Sequence, residues 1–314
     1  MSETITMLSH TVPPSQDGWS LRAVLLTGMG LSRKLLTRLK TVEHAILVDG
    51  HGRWMHEKMC VGEQIVVRLP IEQSNDILPQ PLELQILHED EHLLLVNKPA
   101  GQIVHPTHGH YINTLANGVV HYWMEQGVRH RFRPIHRLDQ DTSGVLAIAK
   151  NAYAHQFISE QFQKGQVSKT YIALVHGELS QQQGTIDAPI DRNPDEPHVR
   201  MVLSSGAAAV THYEVVERLS SATLVKLRPI SGRTHQLRVH MKHIGHPMVG
   251  DPLYGITERT APYCEMIQRQ ALHATKLTFI HPGSKDSVTY EAPLPADMLQ
   301  LVNSIRGDSD VGRK

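Results

Sequence analysis

The chain is poor in the residues from which ready-made sites are often built. It holds two cysteines in 314 residues, Cys60 and Cys264, far apart in the sequence. That excludes a cysteine-built zinc module and argues against a disulfide framework. Neither sign of charge is in excess, with 31 Lys and Arg against 31 Asp and Glu. The average surface is therefore not that of a general polyanion binder, although a local basic cluster is enough for salt-dependent nucleic-acid binding. No apolar run approaches the ~20 residues that span a bilayer. The start, MSETITMLSHTVPPSQDG, lacks the basic residues and apolar stretch of a secretory signal. A cytoplasmic protein with no membrane partner is the expectation. Walker and dinucleotide-binding glycine motifs are missing, and so is any internal repeat. Histidine, by contrast, is abundant: 22 residues make the charge climb below neutral pH. A hydrophobic content of 40% suffices for a substantial core.

Residues 1–17 are polar and contain prolines, as in a loose arm or a first edge strand. Residues 18–70 read as a small helix-helix-strand unit. LRAVLLTG and LSRKLLTRLK carry a helical period, the second placing Leu35, Leu36 and Leu39 inward and Arg33, Lys34, Arg38 and Lys40 outward. AILVDGHGRWM predicts a strand turning at Asp49-Gly50, and EQIVVRLP a closing strand. Residues 71–82 are polar with two prolines, as in a linker.

Residues 83–302 form the main domain in this reading. LELQILHEDEHLLLVNKPAG predicts two strands around an acidic turn, in which Glu89, Asp90 and Glu91 are solvated turn carboxylates. NTLANGVVHYWMEQ fits a helix and VLAIAK a short buried strand. AYAHQFISEQFQKG fits a helix with Ala154, Phe157, Ile158 and Phe162 on one face. Four strand-like runs follow: KTYIALVHGEL, AVTHYEVVERL, ATLVKLRPI and ALHATKLTFIHP, with the helical stretch THQLRVHMKHIG between the last two. ADMLQLVNSI predicts a final helix, and residues 303–314 a disordered tail. Strands outnumber helices without alternating with them, which favours an α+β fold on a mixed, mostly antiparallel sheet.

RPIHRLDQDTSGVLAIAK, residues 133–150, is the most informative stretch. It crowds His136, Arg137, Asp139, Asp141, Thr142 and Ser143 just before a buried strand, with Gly144 at the tight entry. A carboxylate beside arginines at a strand entrance suits a nucleophile or a general base. Turn-capping by Asp and Thr explains the same residues, and on composition alone it is the preferred reading.

HRLDQDTSG resembles the HRLD-x-x-[ST]-[ST]-G signature of the RluA-type pseudouridine synthases. SKTYIALV and GRTHQLRVHMKHIGHPMVGDPLYG resemble two further segments of that family in the expected order, supported by VNKPAG, the HP near 105 and QALHA from Gln270. Together they cover roughly residues 83–296. The resemblance implies the synthase fold and an enzyme that isomerises uridine in structured ribosomal or transfer RNA. By matching positions, Asp139 is the nucleophile, Tyr171 lies against the flipped uracil, and Arg238 pairs with the carboxylate and keeps it ionised. Arg137 enters the stacking space left by the base, and His136 and Arg233 join the RNA contacts. Isomerisation changes no redox state and loses no group, so no cofactor and no metal are implied. The 18–70 unit is similar to the small ribosomal-protein-like RNA-binding module of many such enzymes, with Ser32, Arg33, Lys34, Arg38 and Lys40 as its phosphate-contacting face. A solvated helix face explains those charges equally well.

His240, His243 and His246 recur every third residue, as helix-borne metal ligands can, but no carboxylate or cysteine at ligand spacing accompanies them before Asp251. They read as structural or RNA-facing, as do His105, His108 and His110. Two alternatives stand beside the enzyme: a non-catalytic RNA-binding protein of the same fold, and a hydrolase using Asp139 as base with Asp141 or His136 as acid. A monomer is the expected state.

Overall fold

The structure, a computed structural model, describes residues 7–219, 221–255, 263 and 266–311, the last five as backbone alone. The N-terminal unit contains β1 (Met7–Thr11), α1 (Leu21–Ala23), α2 (Arg33–Leu39), β2 (Ile46–Val48) and β3 (Gln64–Arg68), with α1 continuing as a wider π-type turn to Gly28. Its strands form an antiparallel sheet in the order β1-β3-β2, so Met7–Thr11 of the polar opening segment form an edge strand of this unit. Ser32 starts α2 by accepting the Leu35 amide at 3.1 Å. Leu35, Leu36 and Leu39 then face Leu21, Val24, Ile65 and Val67, each fully buried side chain contributing about 1.5–3 kcal/mol. Arg33, Lys34, Arg38 and Lys40 are exposed, as the periodicity predicts.

The main domain runs through β4 (Ile86–Glu89), β5 (Leu93–Lys98), α3 (Leu115–Glu125), β6 (Ser143–Ala149), α4 (Ala152–Gln163), β7 (Ser168–His176), β8 (Gln183–Asp187), β9 (Ile190–Arg192), β10 (Arg200–Val202), β11 (Val210–Arg218), β12 (Ala222–Pro229), α5 (Gln236–His243), β13 (Leu272–Ile280), β14 (Ser287–Glu291) and α6 (Ala296–Val311). One sheet has the order β4-β5-β6-β13-β7-β12-β11-β8, with β14 paired to β13; β9 and β10 form a separate hairpin. Within that sheet β6–β13 is the parallel pair and the other pairings are antiparallel, the mixed α+β architecture the sequence predicts.

The central strands carry runs that are apolar at every position, Leu93–Val96 in β5 and Val145–Ala149 in β6, because both faces are covered there. Leu94 and Val96 of β5 and Leu146 and Ile148 of β6 pack beneath α3, while Leu93, Leu95, Val145, Ala147 and Ala149 pack beneath α4. Further along, Ala173, Val175, Val225 and Leu227 meet Leu237 and Met241 of α5, whereas Leu174 and Leu224 meet Met298, Leu301 and Ile305 of α6. Tyr171 touches both the α3 and the α5 clusters, and so marks the seam between them.

The two units share α4. Tyr153 completes the N-terminal core, Ala152 and Phe157 pack against it, and the Gln156 side chain accepts the Ser32 amide at 2.9 Å. The segment 71–82 has no regular structure, but it is pinned down. Glu72 bridges Arg38 and Arg133, Ile77 enters the α3 core, and Ser74 accepts the Phe132 amide at 2.9 Å. The stretch from 303 is not a disordered tail as far as Val311, because α6 continues through it; residues 312–314 and Cys264 lie outside the described residues. Asp90 caps the β4–β5 turn through the His92 and Leu93 amides, at 2.7 and 2.8 Å. His240 is buried between Thr211 and the Ala188 carbonyl, a structural histidine. Among the described residues no helix is long and apolar enough to cross a membrane.

Candidate active site

The turn that carries Asp139 ends where β6 begins, and buried donors hold its backbone from behind. The Thr142 amide closes the turn on the Asp139 carbonyl at 3.1 Å. Lys98, fully buried, places its ammonium on three carbonyls, Pro99, Gln102 and Gln140, each at 2.8 Å. Burial pulls its pKa down to about 7, against the attraction of Asp141 and Asp139. Arg269 donates to the Asp141 carbonyl at 3.1 Å while gripping Asp297, and Gln270 donates to the Thr142 hydroxyl at 3.1 Å. Gly144 then sits at φ +121°, where a Cβ would lie 2.1 Å from the Ala274 carbonyl oxygen. Only glycine lets β6 and β13 approach so closely at that point.

The Asp139 carboxylate is about a quarter exposed, and Arg238 Nη1 lies 3.5 Å from its Oδ2. The tight partner of Arg238 is a different carboxylate. Its Nε and Nη2 grip Asp251 at 2.7 Å each, and Asp251 Oδ1 also accepts the Leu253 and Tyr254 amides. The guanidinium packs 4.9 Å over the Tyr254 ring. Burial works against the charge of Arg238, but the Asp251 hydrogen bond and charge, followed by Asp139, raise its pKa. Asp139 thus faces a permanent cation whose orientation is set from behind.

These groups open onto a cavity of about 280 Å³ at the end of the sheet. Six residues nominated from the sequence line it together: Asp139, Tyr171, Arg238, His136, Arg137 and Arg233. Tyr171 is half-buried, and burial, reinforced by the Asp139 charge, raises its pKa so that the phenol stays protonated. His136 is not a cation for phosphate. Its Nε2 accepts the Ala147 amide at 3.2 Å, its ring stacks on Phe162 at 5.6 Å, and burial, followed by the charge of Lys169, holds its pKa down at about 4. Arg137 is exposed at the cavity and makes no ion pair with Asp141 or any other described residue, while Arg233 donates to the Ala208 carbonyl at 3.1 Å. With Lys169, which sequence reasoning missed, the lining holds four cations against the single carboxylate of Asp139. A chain of zero net charge thereby presents a local field suited to a polyanion.

The other five nominated residues, Ser32, Arg33, Lys34, Arg38 and Lys40, lie on the N-terminal unit, outside the cavity. Ser32 is occupied as a helix cap and Arg38 by Glu72, so both have structural duties. Arg33, Lys34 and Lys40 are exposed and make no ion pair among the described residues. His235, Asp251 and Tyr254 were also missed as site residues. They fall inside the GRTHQ…DPLYG segment, the signal that pointed to them, but no local pattern reveals that they meet.

Comparison with known proteins identifies the family. The sequence profile described as RNA pseudouridylate synthase matches residues 92–243. The chain is 42% identical to the "Uncharacterized RNA pseudouridine synthase YlyB" of Bacillus subtilis, over 83% of this chain and 86% of that one. It is 40% identical to "Ribosomal large subunit pseudouridine synthase D" of Pseudomonas aeruginosa, over 84% of this chain and 85% of that one. Among solved structures it is similar to human RNA Pseudouridylate Synthase Domain Containing 1, with 29% identity, a TM-score of 0.57, and coverage of 72% of this chain and 96% of that one. On these grounds the chain belongs to the RNA pseudouridylate synthase family.

Proposed function

We propose that the protein converts specific uridines of structured RNA to pseudouridine, with Asp139 as the nucleophile. The observation that carries this reading is the carboxylate itself, set in a cationic cavity between a protonated Tyr171 and an Arg238 clamped by Asp251. The isomerisation breaks the C1′–N1 glycosidic bond, turns the uracil, and forms a C1′–C5 bond, while the C5 hydrogen leaves as a proton and a proton ends on N1. Nothing is oxidised or lost. The target must leave its stack, at a cost of a few kcal/mol. Stacking on the Tyr171 ring, worth about 1–3 kcal/mol per base, offsets part of that, and Arg137, unpaired at the cavity, fills the vacated space. The hydrolase alternative has less support, because His136 is held neutral and spends Nε2 on the backbone.

The substrate we favour is large-subunit ribosomal RNA, the RNA named for the Pseudomonas relative, with transfer RNA as the second class to be tried. In this reading the protein acts in the cytoplasm as a monomer, Arg233 holds backbone phosphates at the cavity, and the exposed cations of α2 hold others. The test is release of tritium from RNA labelled at uridine C5, followed by nucleoside analysis. Release matched by pseudouridine is expected on ribosomal transcripts. No release from either ribosomal or transfer RNA overturns the proposal.

A further inference from the structure

We propose that His235 is a positioning residue for Asp139, a neutral imidazole whose Nε2–H is aimed at the carboxylate because the Tyr254 hydroxyl occupies Nδ1. This rests on the reading of Asp139 as the nucleophile. His235 is the residue before α5 and has φ +56°, ψ +17°, a left-handed conformation. Such a backbone costs a side-chain-bearing residue about 1–3 kcal/mol and persists where its surroundings impose it. Here it sets the ring between Tyr254 and Asp139, with the side chain 19% exposed.

The direction of the hydrogen bonds follows from one donor that cannot accept. Among the described residues the buried Tyr254 hydroxyl has two partners, the Arg200 amide and His235 Nδ1, both at 2.8 Å. The amide donates and the hydroxyl accepts from it. Among the described residues Nδ1 is then the one acceptor in reach of the hydroxyl's own hydrogen, which would otherwise be buried unpaired, so that hydrogen goes to Nδ1. An imidazole that accepts at Nδ1 carries its proton on Nε2. That Nε2 is 4.0 Å from Asp139 Oδ2, the same oxygen that Arg238 Nη1 approaches at 3.5 Å. Two N–H groups thus flank Oδ2 and leave Oδ1, which accepts no hydrogen bond among the described residues, for the substrate. A separation of 4.0 Å is not yet a hydrogen bond; contacts of this kind are often long before substrate binds and tighten in the complex.

The electrostatics agree with a neutral donor. Burial lowers the pKa of His235, followed by opposing pulls from Asp139 and Asp251 and pushes from Arg238 and Arg200. Asp139 in turn is faced by His235 and Arg238 from the α5 end, Tyr171 from β7, Lys98 from β5, and Tyr254 behind the imidazole. Replacing His235 leaves the cations in place and removes one N–H that favours the charged carboxylate.

The experiment compares single-turnover pH–rate profiles of the wild type, His235→Gly, His235→Gln, Tyr254→Phe and Asp139→Asn on the RNA that supports tritium release, with RNA affinity measured in parallel. Glycine takes the left-handed conformation without strain, so His235→Gly removes the ring and keeps the turn. We expect its rate to fall about 10- to 100-fold, the range for one hydrogen bond to a charged group. RNA affinity should stay within about twofold, and the acid limb should move up by about one pH unit. His235→Gln, which restores an amide N–H, should recover part of both effects, and Tyr254→Phe should shift the limb in the same direction by less. A His235→Gly rate within twofold of wild type, or a lower rate with an unmoved acid limb, overturns the proposal. If Asp139→Asn is silent while His235→Gly is normal, only this inference fails; if Asp139→Asn is active, the proposed nucleophile fails with it.

Discussion

At the scale of single residues, the site works by fixing each group from the side away from the cavity. Asp251 holds Arg238, Lys98 holds the Gln140 carbonyl beside Asp139, and Ala147 holds His136. The last of these has a measurable consequence. An imidazole unfolded near pH 6.5 and folded at about 4 is neutral in both states above 6.5, so its full contribution to stability is present there. As pH falls from 6.5 to about 4 the unfolded chain takes up the proton first and stability drops; below that the loss is complete. The shift amounts to about 3 kcal/mol, discounted to about 2 because one edge of the ring faces the cavity. Urea unfolding at pH 7 and pH 4.5 should therefore show a smaller pH loss in His136→Gln than in wild type, by about 2 kcal/mol. An equal loss in both proteins contradicts this account. Asp139, Tyr171, Arg137 and Arg238 were legible in the sequence because they sit in short local motifs. His235, Asp251, Tyr254 and Lys98 were not, since each acquires its role only from a partner distant in the chain or beyond the next turn.

At the scale of elements, long apolar runs such as Leu93–Val96 and Val145–Ala149 were readable as strands because both their faces are buried. β8, β9, β10 and β14 escaped notice: they are three to five residues long, mostly exposed, and held by pairing to a neighbour rather than by their own pattern. The decisive join is β6–β13, where a parallel pair presses two backbones together at Gly144. Gly144 reads from the sequence as a turn residue; its tighter constraint is the Ala274 carbonyl opposite. Gly144→Ala combines a disfavoured φ with a 2.1 Å contact, and should cost at least about 3 kcal/mol. Chemical denaturation measures it directly, and a loss under 1 kcal/mol would show that the strands can separate there at little cost.

At the scale of the whole molecule, the N-terminal unit is not a bead on a string. It closes its core on Tyr153 of α4, and residues 71–82, although linker-like in composition, are tied to both units through Glu72 and Ile77. Composition shows polarity and prolines but not where Glu72 finds its two arginines, so this docking was not legible. It also changes how the unit should be probed, since deletion would bare Tyr153 and Phe157. Replacing the exposed Arg33, Lys34 and Lys40 together by Gln leaves the core untouched. If they meet RNA phosphates, affinity should weaken and the log–log salt slope should fall by about 2 to 3, with the single-turnover rate at saturating RNA unchanged. An unaltered slope would assign those charges to a solvated helix face.

All three scales converge on one carboxylate in a cationic cavity, and the most direct test replaces it with its nearly isosteric amide. Purified Asp139→Asn should keep the wild-type unfolding midpoint and bind RNA within about threefold, while pseudouridine formation falls by at least about 10⁴-fold, the scale seen when a reaction loses its nucleophile. A variant that binds RNA and still forms pseudouridine within a few-fold of the wild-type rate would contradict the account.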